Sequence, residues 1–211
     1  MKAATLPLLL LALAGCADPV AEPVPAPAVL DIPTAYTAKV PGRWALAVVG
    51  PSLNTQVAAP GFACGGMVFP VDLDLQFRRY LEQGFRQVAD DVTLVDHPLT
   101  REELRAAGYS GLIAVHDATL APDVSFQQNS YHALVDSNLR LSAILDVNAR
   151  GGAAFHRVST ANGISHADVG IICQHGTNAL ALAADNAMQQ VAIDAAAAFD
   201  ASADVRLAAS R

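Results

Sequence analysis

The chain has 211 residues, enough for one ordinary domain with a tail or at most two small domains. It is 53% hydrophobic and 16% charged, with a mean hydropathy of +0.32, which is too apolar for a disordered protein. Its 13 Lys and Arg against 20 Asp and Glu give a net charge of -7. Because nucleic-acid backbones are bound by clustered cations, we expect no nucleic-acid partner.

Residues 1–15 have the order of a secretory signal peptide: one charge at Lys2, an apolar run over 6–13, then small residues. The run is shorter than the ~20 residues of a transmembrane helix, so we interpret it as a signal. Residues 13–16, Leu-Ala-Gly-Cys, resemble the bacterial lipobox, in which the signal is cleaved before the cysteine and the thiol is linked to diacylglycerol. An ordinary signal peptide followed by a chance cysteine is the alternative.

The residues after Cys16 bear on where such a lipoprotein would reside. In the Gram-negative lipoproteins that the lipobox resembles, aspartate directly after the cysteine favours the inner membrane. Here that position is Ala17, and Asp18 comes one residue later. The resemblance therefore implies a lipid anchor at Cys16 in the outer membrane, with the protein facing the periplasm.

Residues 16–42 are predicted to be a lipidated cysteine and a proline-rich tether. Five prolines lie between Ala17 and Pro33, and proline favours polyproline II because it fixes φ and lacks the backbone donor. At ~3.1 Å per residue this stretch could hold the body up to ~50 Å from the lipid. A leader without a spacer role is the alternative.

The first half of the body, predicted to span 43–200, alternates apolar strands with helices. Strands are predicted over 44–49, 62–69, 92–95 and 111–115. Apolar residues at three- and four-residue steps predict a helix over 73–88, capped by Asp72 or Asp74. The capping-box spacing of Thr100 and Glu103 predicts a brief helix that ends at Gly108.

The second half changes period. Alternating apolar and polar residues over 139–147 predict a half-buried antiparallel strand, and Arg150-Gly151-Gly152 predicts a turn to a return strand over 155–160. A long helix is predicted over 177–199 and a frayed tail over 201–211. Together these elements predict a single-domain α/β sandwich with a mixed sheet, an antiparallel hairpin and a C-terminal helix.

Two cysteines remain if Cys16 is lipidated. Cys64 and Cys173 are an even pair in an oxidising compartment, and we predict a structural disulfide between them. It would close a ~110-residue loop and contribute up to ~4.7 kcal/mol in the chain-entropy model. A reactive pair is the alternative, although Cys-x-x-Cys is absent.

The sequence contains no recognisable catalytic or metal-binding motif, so we expect no enzyme, no cofactor and no metal. The six histidines lack the paired spacing of zinc ligands, and Gly-x-Ser-x-Gly is absent. A hydrolase would require the fold to bring His116, His156, His166 or His175 within reach of Ser, Asp or Glu in a pocket.

The lipobox, the proline-rich leader and the order of elements together resemble small periplasmic lipoproteins of the YajG type and the α/β architecture of LpoB. The body matches in an apolar strand after Gly42-Arg43, a helix after Asp72, an Arg-Gly-Gly hairpin and an alanine-rich last helix. The resemblance implies a non-catalytic, lipid-anchored accessory protein that binds another, unidentified envelope component. A carrier or sensor of a small apolar ligand is the alternative.

Overall fold

The chain forms seven strands and four helices in the computed structural model, which describes residues 30–50, 53–58, 68–128, 133–152, 154–170 and 176–209. In chain order the elements are β1 (Val40–Val48), β2 (Thr55–Ala58), β3 (Val68–Val71), α1 (Asp74–Val88), β4 (Ala89–Val95), α2 (Arg101–Ala106), β5 (Gly111–Gln128), β6 (Ala133–Ala149), β7 (Ala154–Gly170), α3 (Gly176–Ala201) and α4 (Ala203–Ala209).

The main sheet has five strands in the order β4-β1-β5-β6-β7. β1 is parallel to both β4 and β5, whereas β5, β6 and β7 pair antiparallel. A separate antiparallel pair is formed by β2 and β3. The predicted α/β class with a mixed sheet, a hairpin and a C-terminal helix is therefore confirmed.

Among the described elements, helices cover both faces of the sheet in its parallel half and one face in its antiparallel half. The chain moves from β1 through α1 to β4, and then back past β1 through α2 to β5. Because such crossovers are right-handed, the reversal of direction places α1 and α2 on opposite faces. The large core lies on the side of α1, α3 and α4, and a small cluster lies under α2, where Leu104 and Tyr109 cover alanines of β1.

Small residues let the helices approach the sheet and each other closely. A Cβ on Gly163 of β7 would lie 1.7 Å from the backbone oxygen of Ala183 in α3, so this contact needs glycine. In the centre of the core, Trp44 and Phe85 both meet the ring of Phe199 edge-on, at 5.0 and 5.6 Å between centroids. Among the described residues, no helix is both long and apolar enough to cross a bilayer.

The helix starts were predicted with mixed success. Thr100 forms the predicted capping box: its side chain accepts the Glu103 N–H, and the Glu103 carboxylate accepts the Thr100 N–H at 2.8 Å. Neither Asp72 nor Asp74 caps α1, because the N-cap residue is Leu73. Asp74 instead accepts the backbone N–H of Leu53 at 2.6 Å, which ties the loop before β2 to the first turn of α1.

The domain extends further at both ends than predicted. Leu30 and Ile32, placed in the tether, are buried in the core, so a tether can include at most the residues before them. The predicted frayed tail contains α4, whose Val205 is fully buried. The sequence pattern missed both segments because they are short and contribute only one or two apolar side chains each.

Candidate functional site

One face of the antiparallel half-sheet is covered by none of the described helices. The even-numbered side chains of β6 and β7 point to this side and are exposed or half-buried, while the odd-numbered side chains of β6 are buried under α3. We call the side chains of β6 at 134–146, of β7 at 156–168 and of β5 at 116–127 that point away from α3 the open face. The described helices leave this regular sheet surface uncovered.

A carboxylate clasped by two imidazoles lies at the end of the open face nearest α2. Asp146 of β6 has His116 Nε2 2.7 Å from its Oδ2 and His156 Nδ1 2.6 Å from its Oδ1. The second nitrogen of His116 lies 2.9 Å from Asp117 Oδ2. We call these four residues the Asp146 cluster. It links β5, β6 and β7 side by side.

A bulge in β5 makes this arrangement possible. The β5–β6 register shifts between His116 and Thr119, and Asp117 within the bulge has φ 50°, the left-handed region that few non-glycine residues adopt. Gly50 makes room for the bulge, because a Cβ there would lie 3.0 Å from the Asp117 backbone nitrogen. The bulge allows adjacent residues of β5 to meet on one side of the sheet.

The hydrogen bonds of the cluster shift the pKa of His116 and of Asp146. Hydrogen bonds to Asp146 and then to Asp117 raise the pKa of His116, because both ring nitrogens can donate only in the imidazolium form. Partial burial opposes ionisation of Asp146, but hydrogen bonds from His116 and His156 outweigh it and lower the pKa of that carboxyl. The cluster is therefore most favourable as an ionised carboxylate with a protonated His116.

We expect Asp146→Asn to destabilise the protein by about 1 kcal/mol at pH 5.5, and by less at pH 9. The raised pKa of His116 stabilises the fold below the ordinary histidine pKa of about 6.5, and this contribution is lost as pH rises through the folded value. The lowered pKa of Asp146 stabilises above about pH 4 and is lost as pH falls through the folded value. Urea unfolding at pH 5.5 and pH 9 measures the difference.

The matched control is Asp123→Asn, an exposed aspartate of β5 on the same face. It should change stability by less than about 0.5 kcal/mol at either pH. An equal cost of Asp146→Asn at both pH values would show that the charge of His116 adds nothing to the cluster.

A second carboxylate–imidazole pair lies at the opposite end of the open face. His166 Nδ1 of β7 lies 2.7 Å from Asp136 Oδ1 of β6, and Gln127 of β5 donates to Asp136 Oδ2 at 3.1 Å. Both ends of the face therefore carry an aspartate of β6 that is bonded to side chains of both neighbouring strands. These links hold the edge strand β7 in register.

Exposed apolar side chains lie at separate places along the open face. Val158 and Ile164 of β7, each 55% exposed, lie between the two polar ends, and Leu134 of β6, 41% exposed, lies just beyond Asp136. Ile144 of β6 lies directly opposite Val158 in the register. Exposed apolar side chains that alternate with hydrogen-bonding groups are the usual composition of a protein contact surface.

The residues predicted from the sequence fall into two groups. Cys16, Cys64 and Cys173 lie outside the described residues, as does His175, so lipidation and the disulfide stay predictions. His116, His156 and His166 all reach carboxylates on the open face, where His156 and His166 are exposed and His116 is half-buried. In the part of the chain that the structure describes, no group of three or more His, Cys, Asp or Glu residues could hold a metal ion.

The sequence reasoning missed Asp136 and Asp146. Each lies directly across from its histidine partner in the β6–β7 register, which the Arg150-Gly151-Gly152 turn sets. Extending the predicted hairpin residue by residue from this turn would have paired Asp146 with His156, and then Asp136 with His166. That register was the available signal.

The fold and this face define a mixed α/β protein whose antiparallel half-sheet is left open on one side by the described helices. No family model matches the chain, and no curated protein matches it. Among solved structures, the chain is similar to protein XCC0632 of Xanthomonas campestris, which is described as a DUF330 protein. The two share 14% sequence identity with a TM-score of 0.49, and the match covers 83% of this chain and 93% of that one. It is less similar to the hypothetical protein CT253 of Chlamydia trachomatis, with 7% identity, a TM-score of 0.24, and coverage of 57% and 73%. The resemblance to YajG-type and LpoB-like lipoproteins is not confirmed by these similarities.

Proposed function

We propose that the protein is a lipid-anchored, non-catalytic accessory protein of the bacterial envelope that binds another envelope component through its open face. Its anchor would be diacylglycerol on Cys16, in the outer membrane on the periplasmic side. The observation that carries the binding role is the exposure of Val158 and Ile164 on a regular sheet surface that the described helices leave uncovered.

The composition of the open face supports docking of a protein. Its two ends carry the Asp146 cluster and the Asp136–His166 pair, exposed Val158 and Ile164 lie next to those ends, and the hydroxyls of Ser142 and Thr160 lie between them. Such a mixture of apolar and hydrogen-bonding side chains is the usual composition of a protein interface. Because all these side chains stand on hydrogen-bonded strands, a partner would meet a preformed surface and little ordering entropy would oppose association.

The two alternative functions have less support. A hydrolase needs a nucleophile beside its base, whereas the described bonds of His116, His156 and His166 all run to carboxylates. A carrier of an apolar ligand needs a cavity between layers, whereas Trp44 and Phe199 pack edge to face at the centre of the described core.

Photo-crosslinking in cells tests the docking role. We expect benzoylphenylalanine at position 158 or 164 to give one discrete adduct with an envelope protein. Leu75 of α1 and Leu182 of α3 are matched control positions, since they are 62% and 48% exposed but lie on helices away from the open face. Adducts of equal yield at all four positions, or none at 158 and 164, would contradict docking through this face.

The anchor has its own test. We expect Cys16→Ser to abolish labelling by radioactive palmitate and to move the protein from the membrane fraction to the soluble periplasmic fraction. The physical reason is that each buried methylene contributes ~0.8 kcal/mol, and two or three acyl chains make membrane attachment long-lived. The Cys64→Ser variant is the control, and it should keep both the label and the membrane attachment. If Cys16→Ser stays in the membrane fraction, the proposed lipid anchor at Cys16 is contradicted.

A further inference from the structure

A small pocket lined by three arginines lies between α2 and the turn that joins β6 to β7. Arg101 and Arg105 line it from α2, and Arg150 lines it from the turn. Asn148 adds a side-chain amide, and Leu104 forms part of the apolar lining. The pocket has a volume of about 80 Å³. This is room for two or three waters at ~30 Å³ each, or for one tetrahedral oxyanion.

The concentration of positive charge at this pocket is unusual for the chain. The whole protein has a net charge of -7, with only 13 Lys and Arg. Among the described residues, the guanidinium groups of Arg101, Arg105 and Arg150 take part in no hydrogen bond or ion pair. In contrast, Arg157 and Arg206 each pair with an aspartate. Three unpaired like charges around one pocket repel each other, so a bound anion would relieve an existing cost.

The backbone that carries these arginines is held firmly on both sides. The capping box at Thr100 fixes the start of α2, and the buried side chain of Leu104 packs α2 against the sheet. In the turn, the Arg150 N–H donates to the Ser110 oxygen at 2.7 Å and the Gly152 N–H donates to the Ala149 oxygen at 2.9 Å. The arginines therefore stand on preorganised elements, which lowers the entropy lost on binding.

The neighbouring carboxylates neither line the pocket nor pair with its arginines among the described residues: Glu103 of α2 bonds to Thr100, and Glu102 is exposed. Asp146 lies two residues from Asn148 along β6, and both of its oxygens are engaged by His116 and His156. The pocket is lined by arginines, an amide and apolar or small residues, with no acidic side chain among its described lining. Its chemistry is therefore that of an anion site.

We propose that this arginine pocket binds a phosphate group. Guanidinium forks bind phosphate bidentately, and a tetrahedral oxyanion offers enough acceptor oxygens for three arginines, whereas a carboxylate offers only two. The same chemistry is found in a soluble phosphate compound and in an anionic lipid headgroup, and the pocket accepts either through the same contacts.

The test is thermal unfolding of the full chain in detergent, with two ligand arms. In the first arm, sodium phosphate replaces sodium chloride at equal ionic strength and pH. In the second, phosphatidylglycerol is added to the micelles in chloride buffer. We expect at least one arm to raise the Tm by about 3 to 5 °C when ligand reaches ten times its Kd. A rise with phosphate indicates a soluble source, and a rise with phosphatidylglycerol alone indicates a headgroup.

The Arg105→Gln/Arg150→Gln double variant and the Arg105→Gln single variant should lose most of this rise. Their Tm in chloride should equal or exceed that of the wild type, because substitution removes repulsion; this shows that they fold. Arg79→Gln, which changes an exposed arginine of α1, should keep the full rise. No rise in either arm, or an equal rise in wild type and double variant, would overturn the proposal.

Discussion

Replacing Gly163 by alanine is expected to lower the free energy of unfolding by about 3 kcal/mol. The added Cβ would lie 1.7 Å from the Ala183 backbone oxygen and 2.7 Å from the Ala187 backbone nitrogen. Both atoms belong to the backbone of α3, so no side-chain rotation relieves the clash and the helix must move away from β7. Because α3 covers the inner face of β6 and β7, its movement would loosen the support of the open face.

Urea unfolding followed by circular dichroism measures this cost. The control is Asn162→Ala, an exposed neighbour on the same strand, which should cost less than about 0.5 kcal/mol. A cost below about 1 kcal/mol for Gly163→Ala would mean that α3 does not pack on β7 as closely as the structure shows.

Replacing Asp200 by alanine is expected to cost about 3 to 5 kcal/mol, because it leaves a partly buried guanidinium without its partner. The Asp200 carboxylate is buried, pairs with Arg206 and accepts the backbone N–H of Ala35 at 2.6 Å. Arg206 also donates to the Ala38 oxygen at 2.9 Å. This one carboxylate therefore joins α3, α4 and the segment before β1.

Two further variants separate charge from packing. Asp200→Ala/Arg206→Met removes both charges and should recover part of the stability that Asp200→Ala loses. The reason is that the large cost arises when one charge of a buried pair is left without its partner, and the double variant leaves no such charge. Asp204→Ala changes an exposed aspartate of α4 and should have little effect. An Asp200→Ala cost equal to that of Asp204→Ala would show that the ends of the domain are not held by this pair.

The sequence was most informative where a local pattern determines structure. The steps of Phe77, Leu81 and Phe85 predict the buried side of α1, and Thr100 and Glu103 form the capping box that their spacing predicts. The strands are longer than predicted: the apolar run of β5 ends at Val115, but the strand itself continues to Gln128. Beyond the bulge, polar side chains of β5 face water on the open face, so an apolar run measures only the part of the strand that is covered on both sides.

Buried polar contacts depend on tertiary packing and have no local signature. Asp185 of α3 is buried beside Tyr80 of α1, accepts its hydroxyl proton in a hydrogen bond, and also accepts from Gln189 at 2.7 Å. Burial, and then the bond to Asp185, raises the pKa of Tyr80 to about 12. Tyr80 matched the apolar stripe of α1, but its partner lies 105 positions away.

The candidate site also combines residues that a local pattern identifies with contacts that only the tertiary structure shows. Histidines could be named from the sequence, whereas their pairing required the sheet register. Asp146 and His156 meet because the turn at Arg150 aligns β6 with β7, and His116 joins them only through the bulge at Asp117. The exposure of Val158 on the open face was likewise hidden, because it resembles an ordinary strand residue until the absence of a described helix above it is known.

Co-purification from detergent-solubilised envelopes tests the docking claim most directly. The wild-type chain should recover one envelope partner, and Leu75→Glu/Leu182→Glu, which places charges on exposed helix positions, should recover it equally. Val158→Glu/Ile164→Glu, which places the same charges on the open face, should reduce recovery at least tenfold, as a loss of about 1.4 kcal/mol or more of binding free energy requires. Full recovery by the folded Val158→Glu/Ile164→Glu protein, or a wild-type chain recovered alone, would contradict the account.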